Sequence, residues 1–218
     1  MQVNSIIMQP NYPILQTRFC KHSIELNGLD GLGFESWTFC SGMLFGAQNK
    51  WWNDGGTRGT PHEGLDVCLF KDVAGQFHNL GEGTLIPVID EGEIIKIDTD
   101  FLGKSVYIKH NIHDGNNRQL HTVYGHTKLQ HHIGVGMTLS EGSILGTIAG
   151  TRHSKSKIAP HLHISIAWIP RSLSHQELGW EVLRDPDVVT LLDPLKAIAF
   201  KYIVVSIETV HRLQPKVY

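Results

Sequence analysis

Cysteine is scarce in this chain. Cys20, Cys40 and Cys68 make an odd number, and no two of them stand in a CxxC spacing. Such a set specifies neither a disulfide framework nor a cysteine zinc site, and at least one thiol is free. Long apolar runs are lacking too, so no transmembrane helix is expected. Between Met1 and Cys20 the one apolar run is Ile6-Ile7-Met8, close to Pro10 and Pro13, and it is too short for a signal-peptide core. Neither sign of charge is in excess: 19 Lys+Arg stand against 21 Asp+Glu. There is therefore no basic stripe for nucleic acid and no polybasic membrane signal. With 218 residues, the chain suits one well-packed core with an added flap and is too short for three ordinary domains.

Glycine and histidine are plentiful, at 22 and 14 residues. Glycine serves the turns of a short-stranded sheet, whereas histidine serves metal chemistry or merely the surface. Two segments concentrate the chemistry. In Pro61-His62-Glu63-Gly64-Leu65-Asp66-Val67, Pro61 and Gly64 argue against a helix, so His62 and Asp66 sit on a loop entering a strand. Val67-Cys68-Leu69-Phe70 continues it as a buried apolar run. Cys68 could face the same way as Asp66, but a small buried residue is the simpler reading. An imidazole and a carboxylate both suit zinc, which needs a third protein ligand if a fourth position is to stay open for water.

The second segment is Ala159-Pro160-His161-Leu162-His163-Ile164-Ser165-Ile166-Ala167-Trp168, with the composition of a strand. Its histidines at i and i+2 share one face, their α-carbons roughly 6.6 Å apart, while Leu162, Ile164 and Ile166 face the core. One imidazole can bind metal while the other leans over the open position. The spacing alone leaves open which does which.

HEGLDV at 62 to 67 and PHLHI at 160 to 164 resemble the paired signatures of the M23 zinc metallopeptidases of lysostaphin and LytM type. The likeness spans about residues 44 to 170, with Phe45-Gly46 and Arg58 as lead-in and Tyr124-Gly125-His126 as the family's Tyr-x-His element. Gly134-Val135-Gly136, Glu141-Gly142 and Ile144-Leu145-Gly146 follow the family's glycine rhythm. The order and spacing together are far more specific than any one motif. Thr127 departs from the leucine that commonly follows the Tyr-x-His element, and the basic TRHSKSKI at 151 to 158 replaces a glycine- and serine-rich loop.

The resemblance implies a mainly β fold, with an antiparallel β-sheet catalytic core of the duplicated-hybrid-motif kind and short helices near the C-terminus. Residues 1–43 are expected to pack on a catalytic domain at 44–170, completed by 171–218. It further implies Zn2+ held by His62, Asp66 and His163, with His126 and His161 orienting water, stabilising an oxyanion or moving a proton. The substrate implied is a peptide of bacterial peptidoglycan, which points to the cell envelope or the cell exterior. Two other classes compete: an M23-like domain that binds walls or regulates wall hydrolases, and a structural module with a closed four-ligand site. No oligomeric state is specified.

Along the rest of the chain, residues 1 to 43 read as short strands and turns. Thr84 to Lys96 reads as a hairpin turning at Glu91-Gly92, and Lys104 to His110 with Gln119 to Tyr124 as a second, turning at Asp114-Gly115-Asn116-Asn117. Of Trp51 and Trp52, one anchors its loop to the core, or both form a groove wall. His110, His113, His121, His131 and His132 read as exposed strand and loop histidines. Segments 174 to 184 and 188 to 200 look helical, and Tyr202 to Ile207 forms a last strand.

Overall fold

The computed structural model describes residues 17–53, 55–152, 158–198 and 201–213. In chain order these form α1 (Phe19–Leu26), β1 (Phe34–Cys40), a 3-10 turn (Ser41–Met43), β2 (Leu65–Val67), β3 (Leu69–Asp72), β4 (Phe77–Asn79), β5 (Leu85–Pro87), β6 (Gly92–Thr99) and β7 (Lys104–His113). There follow β8 (Arg118–Leu129), β9 (Thr138–Leu139), β10 (Ile144–Ile148), β11 (Leu162–Pro170), α2 (Trp180–Leu183), β12 (Thr190–Leu192), α3 (Leu195–Ile198), β13 (Tyr202–Val205) and α4 (Ile207–Leu213). The fold is mainly β, as the sequence suggests, and α2, α3 and α4 are short helices near the C-terminus.

Two sheets account for the described strands. The larger runs β12-β11-β8-β7-β6-β9, with β2 on β11 and with β10 joining β8 to β5. The smaller runs β13-β1-β3-β4; its β1–β13 pair is parallel and the others are antiparallel. Period-2 alternation lets the large sheet bury both faces. Leu162, Ile164 and Ile166 of β11, with Val106, Ile108, Leu120 and Tyr124, join the main core with the small sheet and Phe19 of α1. Tyr107, Val123, Ala167 and Ile169 point the other way, into a second cluster with Leu178, Leu183 and Val189. Each such side chain, fully buried, contributes roughly 1.5–3 kcal/mol relative to exposure.

The β7–β8 hairpin is the one expected: the Asp114 carboxylate accepts the backbone N–H groups of Asn116 and Arg118, and Asn117 takes φ 57°. The other expected hairpin does not form. β5 pairs with β10, and β6 with β7 and β9, because Val88 and Ile89 between them are drawn inward, the Ile89 N–H donating to the Tyr124 hydroxyl at 2.7 Å. The run Val67 to Phe70 is likewise not one strand. Leu65 to Val67 pairs with β11, and Leu69 to Lys71 pairs with β4, so the chain passes from one sheet to the other at buried Cys68.

Four further expectations are corrected. Residues 19–26 form a helix, with Phe19, Cys20 and Ser23 buried on its inner side. The segment 174–184 holds only the single turn α2, because Gly179 is fully extended and Leu178 is already anchored in the second cluster. In 188–198, β12 pairs with β11 before Asp193 caps the Leu195 N–H; residues 199 and 200 lie outside the described residues. His110 and His121 are buried, not exposed. Both ring nitrogens of His110 have partners, in the Glu91 carbonyl and Thr122 Oγ1, and His121 Nδ1 meets the Gln119 carbonyl. His113, His131 and His132 are exposed. Most of the 151–158 loop, residues 153–157, lies outside the described residues.

Candidate functional site

Three neighbouring strands carry the site. In the antiparallel register His163 of β11 lies opposite Asp66 of β2 on one side and Gly125 of β8 on the other. This places the three sequence motifs side by side. Two glycines make the approach possible. A Cβ on Gly64 would fall onto the Ile164 carbonyl and 2.6 Å from His163 Nε2, and one on Gly125 would lie 3.2 Å from the Cβ of His163. The glycine inside HEGLD is thus a packing requirement of the histidine a hundred residues further on.

The structure brings His62, Asp66 and His163 together, all buried. His62 Nε2 lies 3.2 Å from Asp66 Oδ1 and 3.2 Å from His163 Nδ1, and His163 Nδ1 lies 2.9 Å from Asp66 Oδ1. The outer nitrogens explain why these atoms face inward. His62 Nδ1 is 3.0 Å from the Leu44 carbonyl, which can only accept, so the proton sits there and Nε2 presents a lone pair. His163 Nε2 is 2.9 Å from Ser165 Oγ, a hydroxyl that can donate or accept. The ring can therefore give up its Nδ1 proton without leaving Nε2 unpartnered. A tetrahedral ion with bonds of about 2.0–2.2 Å holds its donors roughly 3.3–3.6 Å apart, so this nearly equilateral set of one oxygen and two nitrogens fits such an ion after a slight expansion. Burial works against the charge of Asp66, yet the surrounding histidines outweigh it and hold the carboxyl well below its usual range.

His161 and His126 stand further out. His161 Nδ1 is 2.9 Å from the Ala159 carbonyl, which leaves Nε2 as the lone-pair atom, 3.8 Å from Asp66 Oδ1. Burial drives its protonation down to about 3. The His126 ring lies 4.7 Å from that of His161, centroid to centroid. His126 takes φ 62° where the β7–β8 register slips between Lys104 and Val106. This strained bulge re-aims the side chain from the sheet toward the cleft.

Several participants are not legible in the sequence. Asp100 accepts the His126, Leu102 and Gly103 backbone N–H groups and the Ser105 hydroxyl, and its Oδ1 lies 3.1 Å from His126 Nδ1, off the line of a hydrogen bond. Burial opposes its charge, but His126 and these donors outweigh that and hold the carboxyl low. Glu63, inside the first motif, receives two hydrogen bonds from Arg184. The cleft, about 550 Å³, is walled by Trp52, Phe101 and Trp180 and edged by Lys50, Arg58 and Arg184. Phe101 is 64% exposed and packs against His126. The tryptophan pair divides its work: Trp51 is fully buried, while Trp52 lines the cleft beneath the Arg58 guanidinium.

A crystal structure of a protein provisionally assigned to peptidase M23, from Pseudomonas aeruginosa, matches at 18% identity with a TM-score of 0.41, covering 88% of this chain and 65% of that one. No curated protein sequence matches significantly. The sequence model of peptidase family M23 matches residues 72–175. That interval contains His126, His161 and His163 and begins just after His62 and Asp66, which the fold returns to its centre through the β2–β11 pairing. By sequence, the segment that carries these three histidines is similar to peptidase family M23.

Proposed function

We propose that this protein is a zinc-dependent endopeptidase that hydrolyses peptide bonds of bacterial cell-wall peptidoglycan, in stem peptides or cross-bridges, and works in the cell envelope or outside the cell. The observation that carries the reading is the convergence of His62 Nε2, Asp66 Oδ1 and His163 Nδ1 within 3.2 Å of one another at the floor of an open cleft. His62, Asp66 and His163 would hold the ion, and three protein donors leave a fourth position for water. When bound, zinc supplies an acidified water and a Lewis acid for the scissile carbonyl.

The chain's own residues supply the rest. His161, with its proton fixed on Nδ1 by the Ala159 carbonyl, presents Nε2 as a proton acceptor toward the attacking water. His126 lies beside the Asp100 carboxylate and lines the cleft next to His161, where it is suited to stabilise the oxyanion or to hand a proton to the leaving amine. Trp52, Phe101 and Trp180 exclude water from the bound peptide and offer flat apolar faces to its side chains.

The test is hydrolysis by the zinc-loaded protein of purified walls from several bacteria and of glycyl- and D-alanyl-linked peptides, read as newly formed amino termini. Cleavage at defined peptide bonds is expected. Absence of turnover on every substrate, with one zinc per chain verified, overturns the endopeptidase reading in favour of a wall-binding or regulatory domain.

A further inference from the structure

Asp66 has two oxygens, and only Oδ1 faces the two histidines. Oδ2 receives the indole N–H of Trp51 at 2.6 Å, and Arg58 Nη2 stands 3.7 Å from the same oxygen. Trp51 is wholly buried, and its ring meets that of His161 edge to face, 5.2 Å between centroids. One side chain thus touches both a proposed metal ligand and a proposed proton acceptor.

Its backbone is held from two sides. His211 of α4 meets the Trp51 carbonyl at 3.0 Å. On the other side Gly42 packs so tightly that an added Cβ would lie 3.0 Å from the Cβ of Trp51 and 2.9 Å from the Asn49 carbonyl oxygen. The indole cannot withdraw from the carboxylate without moving the 3-10 turn or α4.

We infer that Trp51 is a positioning residue of the metal centre: its N–H fixes Asp66 with Oδ2 turned outward and Oδ1 turned toward His62 and His163, while its ring holds the plane of His161. This rests on the zinc reading above. A carboxylate held by an outer donor is pre-oriented for its ion, and loss of such a donor typically weakens metal affinity about 10–100-fold. Phenylalanine at 51 keeps an aromatic ring but lacks the N–H. Benzothienylalanine, incorporated at 51 in the full chain, keeps the shape of the indole and replaces only N–H by sulfur.

The experiment measures zinc dissociation constants by chelator competition for the wild type, Trp51→Phe, the benzothienyl protein and Trp168→Phe, the last on β11 opposite Leu120 and Thr190 and away from the cleft, together with the visible absorption of each after cobalt(II) substitution. The expected result is affinity about 10–100-fold weaker in both position-51 variants, with an altered cobalt spectrum, while Trp168→Phe matches the wild type in both measurements. Should Trp51→Phe fail to fold, the benzothienyl protein decides. Wild-type affinity and spectrum in that protein overturn the inference and leave the zinc reading standing. A wild type that binds no zinc overturns both.

Discussion

The imidazole of His163 is one of three donors in mutual contact, whereas those of His161 and His126 lie outside that contact. Substitutions should therefore differ in kind. His163→Ala and Asp66→Ala are expected to be metal-poor on elemental analysis, since two protein donors hold an ion weakly. His126→Ala and His161→Ala are expected to keep one zinc and their KM while kcat falls about a hundredfold or more. An empty site in His161→Ala beside a filled one in His163→Ala would reverse the assignment of the HxH pair. Asp100→Asn belongs with the second group: the amide has no negative charge to set beside His126 Nδ1, so kcat should drop by roughly a hundredfold or more at unchanged zinc content. A wild-type kcat in that variant would leave Asp100 only a loop-capping role. These residues also mark what a sequence can tell. HxxxD, YxH and HxH announce themselves because strand period and motif spacing are local. Asp100 acts on a residue 26 positions away and Arg184 on one 121 away, partners that only the sheet register brings together.

Among the elements, β2 is three fully buried residues of the larger sheet, paired with β11 and with Asp66 at its centre. Gly64→Ala forces a methyl group onto the Ile164 backbone carbonyl, and backbone cannot yield as a side-chain tip can. The expected cost is about 1–3 kcal/mol or more, read by urea unfolding of the metal-free protein, accompanied by loss of zinc. Wild-type stability with full metal content would show that β2 has more freedom than its packing implies. The β7–β8 hairpin was readable because Asp114 to Asn117 writes its turn into adjacent residues. The pairing of β5 with β10 was not, because its partner is some sixty residues away and short apolar runs carry no record of which edge they join. α1 escaped notice because the Asn27-Gly28 and Gly33 turn signals that follow it dominate its short sequence.

For the whole molecule, any ion bound by the folded chain and not by the unfolded one raises stability. At free zinc of 100 times the dissociation constant the gain is about 2.7 kcal/mol, which for a chain of this size raises Tm by roughly 5–10 °C. Calorimetry with and without chelator measures it, and an unchanged Tm would show that the folded chain holds no ion. Acid sensitivity has a separate source in His121, where burial lowers the imidazole pKa to about 4 from its usual 6.5. Above pH 6.5 the group is neutral in both states and contributes nothing to pH dependence. As pH falls from 6.5 toward 4 the unfolded chain takes up the proton first, so stability declines, and below about 4 this contribution levels off. His121→Gln should flatten the unfolding free energy across that window relative to wild type, as measured by denaturant titrations. Parallel curves for the two proteins would place the acid sensitivity elsewhere.

The pairing of β2 with β11 also has a meaning in time. The site's two histidine donors, His62 just before β2 and His163 within β11, are separated by 101 positions along the chain, so a growing polypeptide exposes His62 long before His163 has been made. At a synthesis rate of about 5–20 residues per second the interval is roughly 5–20 s. Throughout it the first motif can offer an ion only an incomplete grip. An ion that settles on all three donors joins distant parts of the chain much as a covalent cross-link would, and it can do so only once β11 has been made and paired with β2.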